Sequence, residues 1–288
     1  MSEPSTETRP RDEDADPGGG ADRDPALFAR GLSKRYAETT AVDSLSMTVD
    51  PGVVFGFLGP NGAGKTTTMR MFTGLIEPTS GDARVAGVPS ENRRELVDHV
   101  GLLPEEPPLY DELTGREQLQ FAADLRDLSW DALADRALSL CDRLDLRADL
   151  DRRIDGYSKG MRPQTAFVQA VQHDPDVAFL DEPPSGLDPR AAKTLRELIL
   201  ELADGETTVF LSTHILPVVE EIADEVGVLH RGRLVAEGPV DELASVEAAE
   251  TDGDADGTET AAGTATREPD LEDAFLRLTS DREAAWDA

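Results

Sequence analysis

One cysteine, Cys141, is all the chain of 288 residues contains, so no internal disulfide can staple it. Lysine is almost as scarce: Lys34, Lys65, Lys159 and Lys193 are the only four among 28 basic residues, the rest being arginine. Basic residues are themselves outnumbered by 59 acidic ones, leaving a formal charge of −31. A surface of that sign repels a polyanion and an anionic lipid headgroup, which argues against direct nucleic-acid binding and against a polybasic membrane anchor. No apolar run comes near the roughly 18 residues of a spanning helix, and residues 1–24 lack the basic-then-apolar order of a signal peptide. The hydrophobic share of 39% is enough for a real core, and the length suits one large domain or two small ones. The expectation is a soluble intracellular protein, or one held against a membrane by a partner.

The acidity is not confined to the ends. Residues 1–24 carry three basic against eight acidic side chains and residues 247–260 carry six acidic ones, which leaves −20 for the remainder. Such a surface repels itself in dilute buffer but stays hydrated where molar salt shortens the Debye length to about 3 Å. The composition resembles that of proteins from organisms with molar salt in the cytoplasm. An ordinary acidic protein with acidic tails is the plainer alternative.

Along the chain, residues 1–24 are nearly devoid of apolar side chains and read as a disordered leader. Apolar pulses over 26–50 suggest short strands before the Asp50-Pro51-Gly52 turn, and Val53–Leu58 is a continuous apolar run of buried-strand length. A glycine-rich loop follows, then a helix with Met69, Phe72 and Leu75 on one side, broken by Gly74 and Pro78. Thr114-Gly115-Arg116-Glu117 is a capping box opening a helix to Leu125. Trp130, Leu133, Ala134, Ala137, Leu138, Cys141 and Leu144 recur at helical spacing. With no strand signal from about 112 to 175, an inserted helical subdomain (about 107–175) is expected. Strand Val177–Leu180, helix 189–203 and strand Thr207–Leu211 restore a β/α alternation. That alternation predicts an α/β fold with a mainly parallel sheet and helices on both faces. Residues 246–268 read as an acidic low-complexity linker, and Leu271, Ala274, Phe275 and Leu278 as an amphipathic helix within 269–280.

Gly59-Pro60-Asn61-Gly62-Ala63-Gly64-Lys65-Thr66 fits the phosphate-binding pattern G-x-x-x-x-G-K-[ST], between a buried strand and a helix as that pattern demands. Glycines let successive N–H groups turn inward as an anion nest, and the helix N-terminus adds partial positive charge. Lys65 supplies an ammonium for β- and γ-phosphates and Thr66, followed by Thr67, a hydroxyl for Mg²⁺. An apolar strand later ends in Asp181-Glu182, two carboxylates at the edge where parallel sheets bind ligands. Asp181 can hold Mg²⁺ through its waters and Glu182 can polarise a water. Two acids after a strand more often belong to a solvated loop; the phosphate loop tips the reading toward function.

With four further motifs the chain resembles the nucleotide-binding subunit of an ABC transporter, a P-loop NTPase, over about 26–245, which implies an N-terminal antiparallel β part and one ATP-binding domain over 25–245. Tyr157-Ser158-Lys159-Gly160-Met161 resembles the signature sequence, Pro184-Ser185-Gly186-Leu187-Asp188 the D-loop, Ser212-Thr213-His214 the switch-histidine segment, and Tyr36 of Lys34-Arg35-Tyr36 the adenine-stacking aromatic. Residues 271–278 resemble the tail of single-domain ATPases in drug, polysaccharide and ion exporters. Plainer roles compete. Asp188 is also a good N-cap, with Pro189 at N1; His214 could be a turn histidine; Tyr36 could be packing; Ser158 could cap the next helix. Three departures stand out. Glu105, after Val100–Pro104, sits where the family usually has glutamine and can still bind Mg²⁺. Lys159 replaces a typical glycine, a variant of the exporter branch. Pro163-Gln164 replaces Gln-Arg; with Ser158 as N-cap, Pro163 is the fifth helical residue, so the helix should kink or start late.

The resemblance implies a Mg²⁺-dependent ATPase whose signature and phosphate loop lie at opposite ends, so that two subunits, as a homodimer, close head-to-tail on two ATPs and drive a separate membrane permease from the cytoplasmic face. Export follows from the tail and signature variants. The alternatives are a soluble ABC-type ATPase of repair or translation, disfavoured by a single phosphate loop and no sustained heptads, and a regulatory subunit without turnover.

Overall fold

The computed structural model describes residues 24–183, 187–243 and Phe275. The leader, the linker and the final helix expected from the sequence therefore lie outside the described residues, Asp24 and Phe275 excepted.

The first two strands, β1 (Leu27–Tyr36) and β2 (Thr39–Val49), pair antiparallel around a short turn in which Ala37 takes φ 45°. Alternating burial of Leu27, Ala29 and of Leu45, Met47, Val49 explains the pulses in the sequence: one face is wet and the other packed. β3 (Val54–Leu58) is buried on both sides, as its unbroken apolar run demands. Helix α1 (Lys65–Phe72) follows, then β4 (Ser80–Val85) and the two-residue β5 (Val88–Pro89), which add to β1 to give an antiparallel sheet in the order β2-β1-β4-β5. Leu75 lies past the end of α1 and is 56% exposed, so it does not share the buried side of Met69 and Phe72.

Helix α2 (Arg93–His99) runs into β6 (Val100–Leu103). A helical stretch comes next: α3 (Gly115–Asp124), α4 (Trp130–Arg143), two short 3₁₀ turns, and α5 (Met161–Val171). The Thr114 cap is reciprocal, its hydroxyl accepting from Glu117 N–H while the Glu117 carboxylate accepts from Thr114 N–H. The alternation then resumes with β7 (Val177–Asp181), α6 (Pro189–Asp204), β8 (Thr208–Thr213), α7 (Leu216–Ile222), β9 (Glu225–His230) and β10 (Arg233–Pro239). The second sheet has the order β10-β9-β3-β8-β7-β6, parallel except for the β9–β10 hairpin.

Period-two alternation in this sheet divides the core. Phe55, Phe57, Phe179 and Phe210 face the antiparallel sheet and α1, with Phe179 and Phe210 centroids 5.4 Å apart and Phe57 and Phe210 5.0 Å apart. Val54, Ala178, Leu180, Val209 and Leu211 face the other way, onto α5, α6 and the helical stretch. Both faces are covered, which is why parallel strands are stable here. Phe275 packs on the far side against Leu58, Val226 and Val228. Among the described residues no helix is long and apolar enough to cross a membrane.

Candidate nucleotide site

The C-terminal ends of β3, β7 and β8 meet at one sheet edge, and everything that follows them there converges on a cleft of about 370 Å³. Its walls are Pro60, Asn61, Gly62, Ala63, Lys65 and Thr66 of the loop after β3, Glu105 beyond β6, Asp181 and Glu182 at the end of β7, and His214 after β8.

The loop takes its shape from two glycines with no room for a side chain. A Cβ on Gly59 would lie 2.4 Å from the Leu229 carbonyl oxygen, and one on Gly64, at φ +111°, would lie 2.5 Å from that of Ala41. Gly64 is the N-cap of α1, so the N–H groups of Lys65, Thr66 and Thr67 have no intrahelical acceptor; the first such bond is Thr68 N–H to Gly64 O at 2.9 Å. The loop spends its Ala63 N–H on Pro60 O at 3.0 Å. The result is a positive helix end facing the cleft. Thr67 is half-buried in the same first turn and does not line the cleft.

Lys65 is 7% exposed and its Nζ donates to Gly59 O at 2.6 Å. Burial holds its ammonium below the ordinary lysine range, against the pull of Glu182, Asp181 and Glu105. Thr66 Oγ1 donates to Asp181 Oδ2 at 3.0 Å. Glu182 leaves the strand with φ +50°, a left-handed conformation that costs about 1–2 kcal/mol, and its N–H donates to Ser212 O at 2.8 Å. That turn swings its carboxylate toward the end of β8. There Thr213 Oγ1 donates to Glu182 Oε2 at 2.9 Å, and His214 Nδ1 meets Oε1 at 2.8 Å. A carboxylate oxygen accepts, so the contact calls for the proton on Nδ1, and among the described residues Nε2 has no hydrogen-bond partner.

The donor set fits magnesium. Among the described residues no three His, Cys, Asp or Glu side chains gather into a self-sufficient metal cage. A hydroxyl and a carboxylate 3.0 Å apart, with the Glu105 and Glu182 carboxylates on the same cleft, suit a hard cation that keeps waters and shares phosphate oxygens.

The remaining predicted residues lie elsewhere. Ser158, Gly160, Met161 and Asp188 line a second cleft of about 260 Å³ that has no residue in common with the first. Helix α5 runs from Met161, with Gly160 at its N-cap and Pro163 as its third residue, and long first-turn bonds flank the proline: Arg162 N–H to Ser158 O at 3.4 Å and Gln164 N–H to Gly160 O at 3.3 Å. Of the two outcomes expected from Pro163, the late start replaces the kink. Ser158 Oγ still accepts from Met161 N–H at 3.2 Å, and Lys159 is exposed beside it. Asp188 Oδ1 accepts from both Arg190 and Ala191 N–H at 3.0 Å, the capping role its spacing with Pro189 suggested. Residues 184–186 of the D-loop resemblance are outside the described residues. Tyr36 is 46% exposed at the end of β1, with Lys34 Nζ 5.2 Å from its ring, and does not line the phosphate cleft.

Sequence reasoning missed the Thr213–Glu182 contact, although Thr213 stood in a quoted motif; only the register of β7 against β8, Asp181 opposite Ser212, brings the two together.

A family model described as ABC transporter matches residues 42–185, half of the chain. The chain belongs to the ABC transporter family. As an ABC cassette it binds and hydrolyses ATP, with Mg²⁺ as the metal of the nucleotide. It is 38% identical over 214 residues to the bacitracin transport ATP-binding protein BcrA of Bacillus licheniformis, covering 74% of this chain and 69% of that protein. It is likewise 38% identical to the daunorubicin/doxorubicin resistance ATP-binding protein DrrA of Streptomyces peucetius, over 76% of this chain and 67% of that one. A solved ATP-binding subunit of an ABC transporter superposes with a TM-score of 0.76 at 30% identity, covering 88% of this cassette and 99% of that chain.

Proposed function

We propose that this cassette powers an exporter by closing on ATP as one of two identical subunits bound to a separate membrane permease, on the cytoplasmic face of the cell membrane. The observation that supports the dimer is that Ser158 and Lys65 line two different clefts with no residue in common, so each phosphate site draws on a second subunit for its Ser158. A head-to-tail pair completes each site, with the Ser158 hydroxyl and the start of α5 of one subunit facing the γ-phosphate held by the other. Relatives whose names speak of bacitracin transport and drug resistance favour export over uptake.

Within one cleft, the N–H groups of α1's first turn and Lys65 bind the triphosphate, and Thr66 and Asp181 hold the metal, with Glu105 beside them. When bound at these residues, Mg²⁺ would neutralise charge on the phosphate oxygens. Glu182 takes the proton of the attacking water as its oxygen bonds to the γ-phosphorus and the bond to the bridging oxygen breaks, releasing ADP and phosphate. His214 steadies that carboxylate and the γ-phosphate. Tyr36 is kept as the surface on which the adenine stacks, Thr67 as a further donor at the helix end, and Lys159 as added positive charge near the γ-phosphate. Residues 25–245 form the ATP-binding domain, with 107–175 as its helical part.

Sedimentation of Glu182→Gln with Mg-ATP tests the dimer: a stable dimer that dissociates on nucleotide removal is expected, and a monomer at saturating ATP contradicts it. The spread of acidic residues supports a protein adapted to molar salt. Its melting temperature is expected to climb steadily from 0.1 to about 2 M KCl as screening removes self-repulsion; full stability in dilute buffer contradicts that adaptation.

A further inference from the structure

We propose that Thr213 is a positioning residue for Glu182: its buried hydroxyl anchors one carboxylate oxygen permanently, leaving the other as the oxygen that works on water. The proposal rests on the reading of Glu182 as the base.

Three consecutive residues at the end of β8 grip Glu182. Ser212 O accepts its N–H at 2.8 Å, Thr213 Oγ1 donates to Oε2 at 2.9 Å, and His214 Nδ1 meets Oε1 at 2.8 Å. The two side-chain holds differ in kind. Thr213 is fully buried, whereas the His214 side chain is 52% exposed and that of Glu182 only 10%. The Thr213 hydroxyl is itself fixed, because Ile215 N–H donates to it at 3.1 Å. That bond occupies an acceptor lone pair of Oγ1, so the O–H proton is aimed at Glu182. A half-exposed imidazole can leave Oε1 when nucleotide arrives. A threonine inside the sheet edge, locked to the backbone two residues on, cannot leave Oε2. The left-handed backbone at Glu182 turns its side chain to the end of β8, where among the described residues Thr213 is the one buried hydroxyl that donates to its carboxylate.

The test compares steady-state ATP hydrolysis and ATP affinity for Thr213→Val, Thr213→Ser and Thr213→Cys. Valine keeps the shape and removes the hydroxyl, and kcat is expected to fall about ten-fold or more, with ATP affinity within about two-fold of native. Serine restores the hydroxyl and is expected to turn over within about three-fold of native. Cysteine, a small buried side chain with a weak donor, follows valine and serves if the valine protein does not fold. Combining Thr213→Val with Glu182→Gln should lower the residual rate no further. A native kcat in Thr213→Val and Thr213→Cys while Glu182→Gln is inactive overturns the positioning role and leaves Glu182 as base. Equal losses in the valine and serine variants overturn it as well, since the hydroxyl is then immaterial. Native turnover by Glu182→Gln overturns the reading of the base itself.

Discussion

Thr66 and Asp181 are 115 positions apart in the chain, yet Thr66 Oγ1 donates to Asp181 Oδ2 over 3.0 Å. The contact exists because β3 and β7 flank β8 in parallel register, so the loop after one strand and the acid ending another reach the same edge. Asp181→Asn keeps an acceptor for Thr66 but removes the charge that suits a divalent cation. ATP affinity measured by calorimetry with Mg²⁺ is expected to fall about 10- to 100-fold, while affinity in EDTA stays near native. Equal losses with and without Mg²⁺ would place the metal elsewhere.

Lys65 is a buried cation without its anion. Its folded pKa lies below the unfolded value of 10.5, so between the two the unfolded chain holds the extra proton. The cost to stability is therefore full below the folded value and fades as pH rises to 10.5. Lys65→Met, which keeps the aliphatic stem, is expected to melt at or above the native temperature without nucleotide at neutral pH, with the gap narrowing in alkali. Its ATP affinity should fall about 10- to 150-fold, and ATP should no longer raise its melting temperature.

Pro163 sits third in α5, in a first turn whose bonds on either side of it are long, Arg162 N–H to Ser158 O at 3.4 Å and Gln164 N–H to Gly160 O at 3.3 Å. Pro163→Ala should thus change stability by no more than about 1 kcal/mol in urea denaturation, since at most one first-turn N–H bond is regained against added unfolded-chain entropy. A gain near 3 kcal/mol would mean that the proline had been straining a helix interior.

Burial pushes the His173 imidazole down to about 4, helped by the Arg126 guanidinium, while Nε2 donates to Val100 O at 3.2 Å. As pH falls from 6.5 toward 4, the unfolded chain takes up a proton that the folded one refuses, and stability drops by up to about 1.4 kcal/mol per pH unit. His173→Gln retains a donor for Val100 and does not titrate. Its urea midpoint should lose less than the native one between pH 7 and pH 5.

What the sequence discloses is whatever a local pattern dictates. The nest of Gly59–Thr66 depends on glycines at fixed offsets, and Asp181-Glu182 ends an apolar run of strand length, so both are readable residue by residue. The same holds for the Thr114 capping box. β4 escapes because Ser80-Gly81-Asp82 is polar and becomes a strand only through its pairing with β1. The β9–β10 hairpin turns on Arg231 and Gly232, both at positive φ, and only the glycine signals it. Leu75 satisfies helical spacing, but Gly74 at φ +67° has already ended the helix. Contacts that assemble the site, such as Thr213 on Glu182, depend on strand register across the sheet and leave no trace in spacing.

The central claim is that a triphosphate and its metal are held between the loop of Gly59–Thr66 and the acids Asp181 and Glu182. A crystal structure of Glu182→Gln grown with Mg-ATP tests it most directly. The account predicts the β- and γ-phosphates against the N–H groups of Lys65 and Thr66, the metal at the Thr66 hydroxyl, and Ser158 of a second subunit on the γ-phosphate. An empty loop at saturating ATP, or nucleotide bound away from Lys65, contradicts it.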